Sequence, residues 1–179
     1  HYQLAMQALK SGKHVLVEKP MATTIEEIDQ IEKVSINQKL VAMAGHTFIY
    51  YSAVRYVKRL IDNNELGQIR YLYSQRLNLG RIRSDVDALW NFAPHDISII
   101  QYWLNHPTPI SVQRSGIACI QRGIDDVVFL SIQYPDNILA HIHVSWLDPR
   151  KTRQIVIVGS KKMVVYDDVS EDKIAIYDK

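Results

Sequence analysis

Glu18, Lys19 and Pro20 follow the short apolar run Val15-Leu16-Val17 without a break. Such a run reads as a strand of a parallel sheet buried on both faces. Open α/β sheets bind ligands in the crevice beyond the carboxyl ends of their strands, so Lys19 is expected to point into such a crevice. An ammonium there can hydrogen-bond a hydroxyl, stabilise a developing alkoxide and, when partly desolvated, exchange a proton near neutral pH. Position alone favours the plainer reading, a solvated lysine at a strand end.

A second group is Trp90-Asn91-Phe92-Ala93-Pro94-His95-Asp96, followed by Ile97, Ile100 and Leu104 at helical spacing. Proline is favoured at the first helical position, which predicts a helix over 94–104 with His95 and Asp96 in its first turn. The positive end of the helix dipole favours the neutral imidazole that a general base requires, and Asp96 opposes it. The plain alternative makes Asp96 an ordinary first-turn acid and His95 a packed or solvated residue. Asn91, four residues before His95, can hold a hydroxyl but cannot take a proton.

Other polar groups carry weaker signals. Arg81 and Arg83 lie in an Arg- and Asp-rich loop over 80–87 and could meet a carboxylate or the diphosphate of a nucleotide sugar, although solvated loop charges are commoner. Asp85 and Asp87 are nearby acids in the same loop. His46 is balanced between pocket and core. His141 and His143 share one face of a strand, but no third ligand stands at a matching spacing, so no metal site is expected.

The elements that would position these groups change character along the chain. Residues 2–9 have helical spacing and Gly12 sits where a helix would end on a left-handed residue. After the first strand, Thr24 and Glu27 form a capping box for a helix with the stripe Ile25, Ile28, Ile31 and Val34. Residues 41–44 are a second apolar strand. Helix, strand, helix, strand is the rhythm of a doubly wound domain, of which 1–45 would be the last part. A helix over 52–63, a strand over 69–79 and alternating stretches at 110–120, 125–134, 138–147, 153–159, 162–166 and 173–177 follow, separated by turn signals. Residues 46–179 are therefore expected to form an α+β domain with a mostly antiparallel open sheet and helices on one face. Its uncovered side would leave aromatic surface, with Tyr134, His141, His143 and Trp146 as candidates for a homodimer contact.

The chain has 179 residues, 47% hydrophobic and 22% charged, with a net charge of +2. That is ordinary globular composition, with no basic block that would point to nucleic acid or an anionic membrane. No apolar run reaches the roughly 20 residues of a membrane helix. Cys119 is the only cysteine; it reads as a small core residue, and a reducing, cytoplasmic setting follows.

The segment 1–20, with Ala5, Ala8, Leu9, Gly12, Lys13, His14, Val15, Glu18, Lys19 and Pro20, resembles the glucose-fructose oxidoreductase, inositol dehydrogenase and rhizopine-catabolism (Gfo/Idh/MocA) family, and the later elements follow in the family's order. The resemblance implies hydride transfer between the nicotinamide of NAD or NADP and a sugar, nucleotide sugar or cyclic polyol. It implies a catalytic role for Lys19 and a place for Glu18 near the nicotinamide ribose, with Pro20 setting the backbone direction beside the cofactor. It makes His95 the catalytic histidine and puts Asn91 at a position that is usually aspartate. Thr47 would take a polar pocket role, and Ile49 stands where the family commonly has arginine. No G-x-G-x-x-G turn occurs in these residues, and the chain opens on His1 directly into a helix, so it is expected to be a fragment, inactive by itself, of a longer enzyme. The rival expectation is a sugar-sensing or structural relative that keeps the fold without turnover.

Overall fold

Helix α1 (Tyr2–Lys10) buries Ala5, Met6 and Leu9. It closes where Gly12 turns to a φ of +73°, with the Gly12 and Lys13 amides donating to the Leu9 and Ala8 carbonyls, the left-handed exit that glycine adopts without strain. Strand β1 (Val15–Val17) pairs in parallel with β2 (Ala42–Ala44), Val15 opposite Ala42 and Val17 opposite Ala44. Between them runs α2 (Ile25–Gln38), capped by Thr24, whose hydroxyl accepts the Glu27 amide. The Glu27 carboxylate returns to the Thr23 amide at 3.0 Å, one residue earlier than a capping box has it.

Two details differ from the sequence expectation. Leu16 is exposed, as is its partner Met43, because only the Val15, Val17 and Ala42 side packs against the helices' apolar cluster. Ile25 and Ile28 are also exposed; α2 faces that cluster through Ile31 and Val34.

The computed structural model describes residues 1–178 and separates into two compact units, His1–Thr47 and Phe48–Lys179. The second contains helix α3 (Ser52–Asp62), strand β3 (Ile69–Leu79), helix α4 (Ala88–Trp103) and strands β4 (Ser111–Ile117), β5 (Val127–Tyr134), β6 (Ile138–Ser145), β7 (Leu147–Gly159), β8 (Lys162–Asp167) and β9 (Ile174–Asp178). These strands form one mixed sheet in the order β4-β5-β6-β3-β7-β8-β9, antiparallel except for the β3–β6 pair. Helices α3 and α4 cover one face, over Leu72, Leu130, Ala140, Ile142, Val144, Ile155, Ile157 and Val164, all buried. Period-two alternation sends Tyr71, Tyr73 and Leu139 to the other side, where they are exposed. No helix of the described residues is long and apolar enough to cross a membrane.

Three expectations are corrected in this unit. Tyr134 and Trp146, expected on the uncovered face, are fully buried in the core beneath the helices; the Trp146 indole donates to the buried Asp126 carboxylate at 2.5 Å. His141 and His143 do lie on the uncovered face with Phe129, whose ring stacks on His143 at 4.3 Å. Cys119 is exposed rather than core, because the chain leaves the sheet after Ile117 and its loop is held by the Asp126 carboxylate accepting the Cys119 and Ile120 amides. The helix expected at 94–104 starts six residues earlier, at Ala88, and carries Pro94 inside it.

Candidate active site

In the first unit, the ends of β1 and β2 bring Glu18, Lys19, Pro20, Gly45 and His46 into one short stretch of surface. The Gly45 amide donates to the Val17 carbonyl at 2.7 Å, tying the residue after β2 to the residue before Glu18. A Cβ at Gly45 would lie 3.4 Å from the Val17 carbonyl oxygen and 3.5 Å from Glu18 Oε1, so glycine leaves the Glu18 carboxylate space to rest beside the end of β2. Glu18 is exposed and Lys19 half-buried. The Lys19–Pro20 peptide is cis, and the Pro20 carbonyl lies 2.8 Å from His1 Nδ1. Thr47 is exposed, its amide donating to the Gly45 carbonyl at 2.9 Å.

His46 is the residue here that sequence reasoning left undecided. It is half-buried, with a buried Nδ1 that makes no hydrogen bond among the described residues. Burial, and then the Lys19 ammonium, hold its imidazole below the ordinary histidine value, so the ring is kept neutral. A glycine-histidine pair directly after an apolar strand was the one signal available.

In the second unit, α4 presents Asn91 and His95 at i and i+4, hence on one face, and both are half-buried. The helix begins where the Asp87 side chain accepts the Trp90 amide at 2.9 Å, the usual N-cap geometry. Asp87 is held in turn by Arg114, which also bonds Asp125. His95 is thus two turns inside the helix, beyond the reach of the terminal dipole, and that argument for a neutral imidazole falls. Proline is favoured at a first helical position, but here the Asp87 side chain caps the helix through the Trp90 amide and Pro94 lies inside it.

Asp96 is not an ordinary acid of a first turn. It is 1% exposed and accepts from Arg76 Nε at 2.9 Å and from its terminal nitrogen Nη2 at 3.0 Å. Burial pushes its carboxyl above the ordinary value, and the Arg76 guanidinium pulls the other way. The Arg76 guanidinium carbon lies 4.8 Å from the centre of the Phe48 ring, and Phe48 meets the His95 ring edge-on at 4.8 Å. No pattern of residue types announces this group, since Phe48, Arg76 and Asp96 come from three separate elements.

The loop after β3 bounds a cleft of about 340 Å³ lined by Arg81, Ile82, Arg83, Ser84 and Asp85. Arg83 grips Asp85 through two hydrogen bonds, at 2.8 and 2.5 Å, and its carbonyl accepts Gln121 Nε2 at 3.0 Å. The Asp85 carboxyl is held below its ordinary value chiefly by that hydrogen bond, with the Arg81 charge adding to it. Among the described residues no group of three or more His, Cys, Asp or Glu could hold a metal ion.

Residues 54–165 match the GFO/IDH/MocA C-terminal domain, and residues 1–46 match the oxidoreductase family with an NAD-binding Rossmann fold. The chain belongs to the Gfo/Idh/MocA family. Similar curated proteins include 2,7-anhydro-N-acetylneuraminate hydratase of Mediterraneibacter gnavus, 22% identical over 93% of this chain and 48% of that protein. UDP-N-acetylglucosamine 3-dehydrogenase of Acidithiobacillus ferrooxidans is 29% identical over 70% of this chain and 39% of that protein. Among solved structures, an inositol dehydrogenase homolog from Azotobacter vinelandii complexed with NADH and myo-inositol superposes with a TM-score of 0.92 at 17% identity, covering all of this chain and 51% of that one. This Gfo/Idh/MocA chain spans about half the length of the curated relatives it matches first, at 48%.

Proposed function

We propose that the protein carrying this chain is an NAD(P)-dependent oxidoreductase acting on a sugar, nucleotide sugar or cyclic polyol. The observation that carries the reading is the Glu18-Lys19-Pro20 segment at the end of a parallel strand, closed by Gly45, in a family described by an NAD-binding Rossmann fold. The residues fit the nicotinamide-ribose end of a dinucleotide. An exposed Glu18 carboxylate can accept from ribose hydroxyls, a half-buried Lys19 ammonium can donate to an oxygen, and glycine at 45 keeps a side chain from crowding Glu18. When bound, the nicotinamide supplies or accepts the hydride at C4.

The chain's own residues supply the rest. Lys19 polarises the substrate oxygen on which charge develops, and Glu18 seats the ribose with Pro20 directing the backbone. His95 carries the hydroxyl proton. Asn91, beside it on the helix face, holds a substrate hydroxyl but cannot steady an imidazolium by charge. Thr47 offers a hydroxyl to substrate. Arg81 and Arg83 offer cations to a carboxylate or a diphosphate, Arg83 already shared with Asp85. The protein works in a reducing, cytoplasmic setting and self-associates with a second copy through the uncovered sheet face, where Tyr71, Tyr73, Leu139 and Tyr177 are exposed.

The test is stopped-flow formation of NADH by the full-length protein over a panel of sugars and polyols. Lys19→Ala and His95→Ala are each expected to lower turnover about a hundredfold, the scale of losing a positioned acid or base, with cofactor affinity changing much less. Near-parental rates in both variants would refute the assignment.

A further inference from the structure

An imidazole that hands a proton to one particular hydroxyl must be held in one orientation, because a half-turn about its outer side-chain torsion puts Cδ2 where Nδ1 stood and Cε1 where Nε2 stood, taking both nitrogens away from their partners. The hydrogen bonds of α4 fix only the backbone of His95. Phe48 meets the His95 ring edge-on, with centres 4.8 Å apart and planes at 63°. The Phe48 ring is itself faced by Arg76, whose guanidinium carbon stands 4.8 Å from the ring centre. Arg76 cannot swing away, since Nε and Nη2 each donate to Asp96 in a pair that is 4% and 1% exposed. Asp96 is the chain neighbour of His95, so the contacts form a closed circuit: His95, Phe48, Arg76, Asp96 and back along the helix. His95 Nδ1 is buried.

We propose that Phe48 is a positioning residue for His95, with the buried Arg76–Asp96 ion pair acting through Phe48 to hold the imidazole in one orientation. The functional side of this inference rests on the reading of His95 as the proton carrier. A flat ring is what the circuit requires: Phe48 offers one face to a cation and the rest of its surface to an imidazole edge, an arrangement aliphatic side chains of similar volume cannot reproduce. The ion pair keeps the cation over the ring, and its two-point grip would be lost with lysine, which has a single donor head.

The experiment uses the full-length protein with nitrogen-15-labelled histidine, the His95 signal being assigned by its loss in His95→Gln. The parent and Phe48→Tyr are expected to show one neutral tautomer for His95. Phe48→Leu and Arg76→Lys are expected to show an interconverting mixture. Turnover of Phe48→Leu should fall about tenfold, with KM for the substrate within roughly twofold of the parent, because a misaligned group costs rate more than binding. A folded Phe48→Leu protein with the parental tautomer and parental turnover overturns the proposal. A parental signal in folded Arg76→Lys overturns the part assigned to the ion pair. If the parent itself transfers no hydride to any panel substrate, the functional reading fails, and the histidine spectra still decide whether Phe48 orients the ring.

Discussion

Replacing Arg76 by Met leaves the Asp96 carboxylate, 1% exposed, with neither of its charge-assisted hydrogen bonds. Removing one partner of a buried ion pair costs about 3–5 kcal/mol, because the remaining charge is neither paired nor hydrated. The carboxyl can relieve part of this cost by taking up a proton. Burial already pushes Asp96 up against the pull of Arg76, and without Arg76 the burial effect is reinforced by the Asp168 charge and opposed only by that of Arg153. The variant's folded state then holds a proton that the unfolded chain has released, so its stability falls as pH rises from the unfolded carboxyl value of 3.8 through the raised folded value. The loss relative to the parent is therefore expected to be largest near pH 8 and smaller near pH 5. The assay is urea unfolding followed by tryptophan fluorescence. All three tryptophans, Trp90, Trp103 and Trp146, belong to the second unit, and the latter two are fully buried. The double variant Arg76→Met with Asp96→Leu removes both charges and should recover most of the loss, since a well-packed apolar pair is often as stable as a buried ion pair. A single variant within about 1 kcal/mol of the parent, or a loss with no dependence on pH, would refute the account.

Gly159→Ala should cost about 1–3 kcal/mol, because a Cβ there would stand 2.1 Å from the Leu66 carbonyl oxygen and the backbone must yield; a melting temperature equal to the parent's would show otherwise. Asp87→Ala removes both the cap of α4 and a partner of Arg114, with an expected loss of about 1–2 kcal/mol in the same urea assay. Burial holds His46 and His143 below their ordinary value of 6.5. The unfolded chain therefore binds protons more readily, and the urea midpoint should drop as pH falls below about 6.5, more steeply in the parent than in a His143→Gln variant. Asn91→Asp should fold as the parent does and raise turnover at higher pH, by giving His95 a carboxylate neighbour; an unchanged pH profile in steady-state kinetics would contradict it.

The architecture was legible in the sequence because it depends on periodicity. Alternating apolar residues from Ile69 to Leu79 and from Ile138 to Ser145 can bury one face only as strands, and the unbroken Val15-Leu16-Val17 run pointed to a parallel pair beside Glu18-Lys19-Pro20. The i, i+4 pairing of Asn91 and His95 was not legible, because a helix over 94–104 leaves Asn91 outside it; the two share a face only because the helix starts at Ala88. The helix start was not legible, because local rules rank proline and aspartate as alternative openings and only the folded chain has Asp87 capping the Trp90 amide and meeting Arg114. Alternation alone set Trp146, with Ala140, Ile142 and Val144, on the face opposite His141 and His143; tertiary structure decided that this face, and Tyr134 with it, lies under the helices. It also decided the fate of the charges at Arg76 and Asp96. In sequence these are two unremarkable ionisable residues twenty positions apart; across β3 and α4 they become a buried pair behind Phe48, because side-chain partners are set by packing between elements rather than by spacing along one.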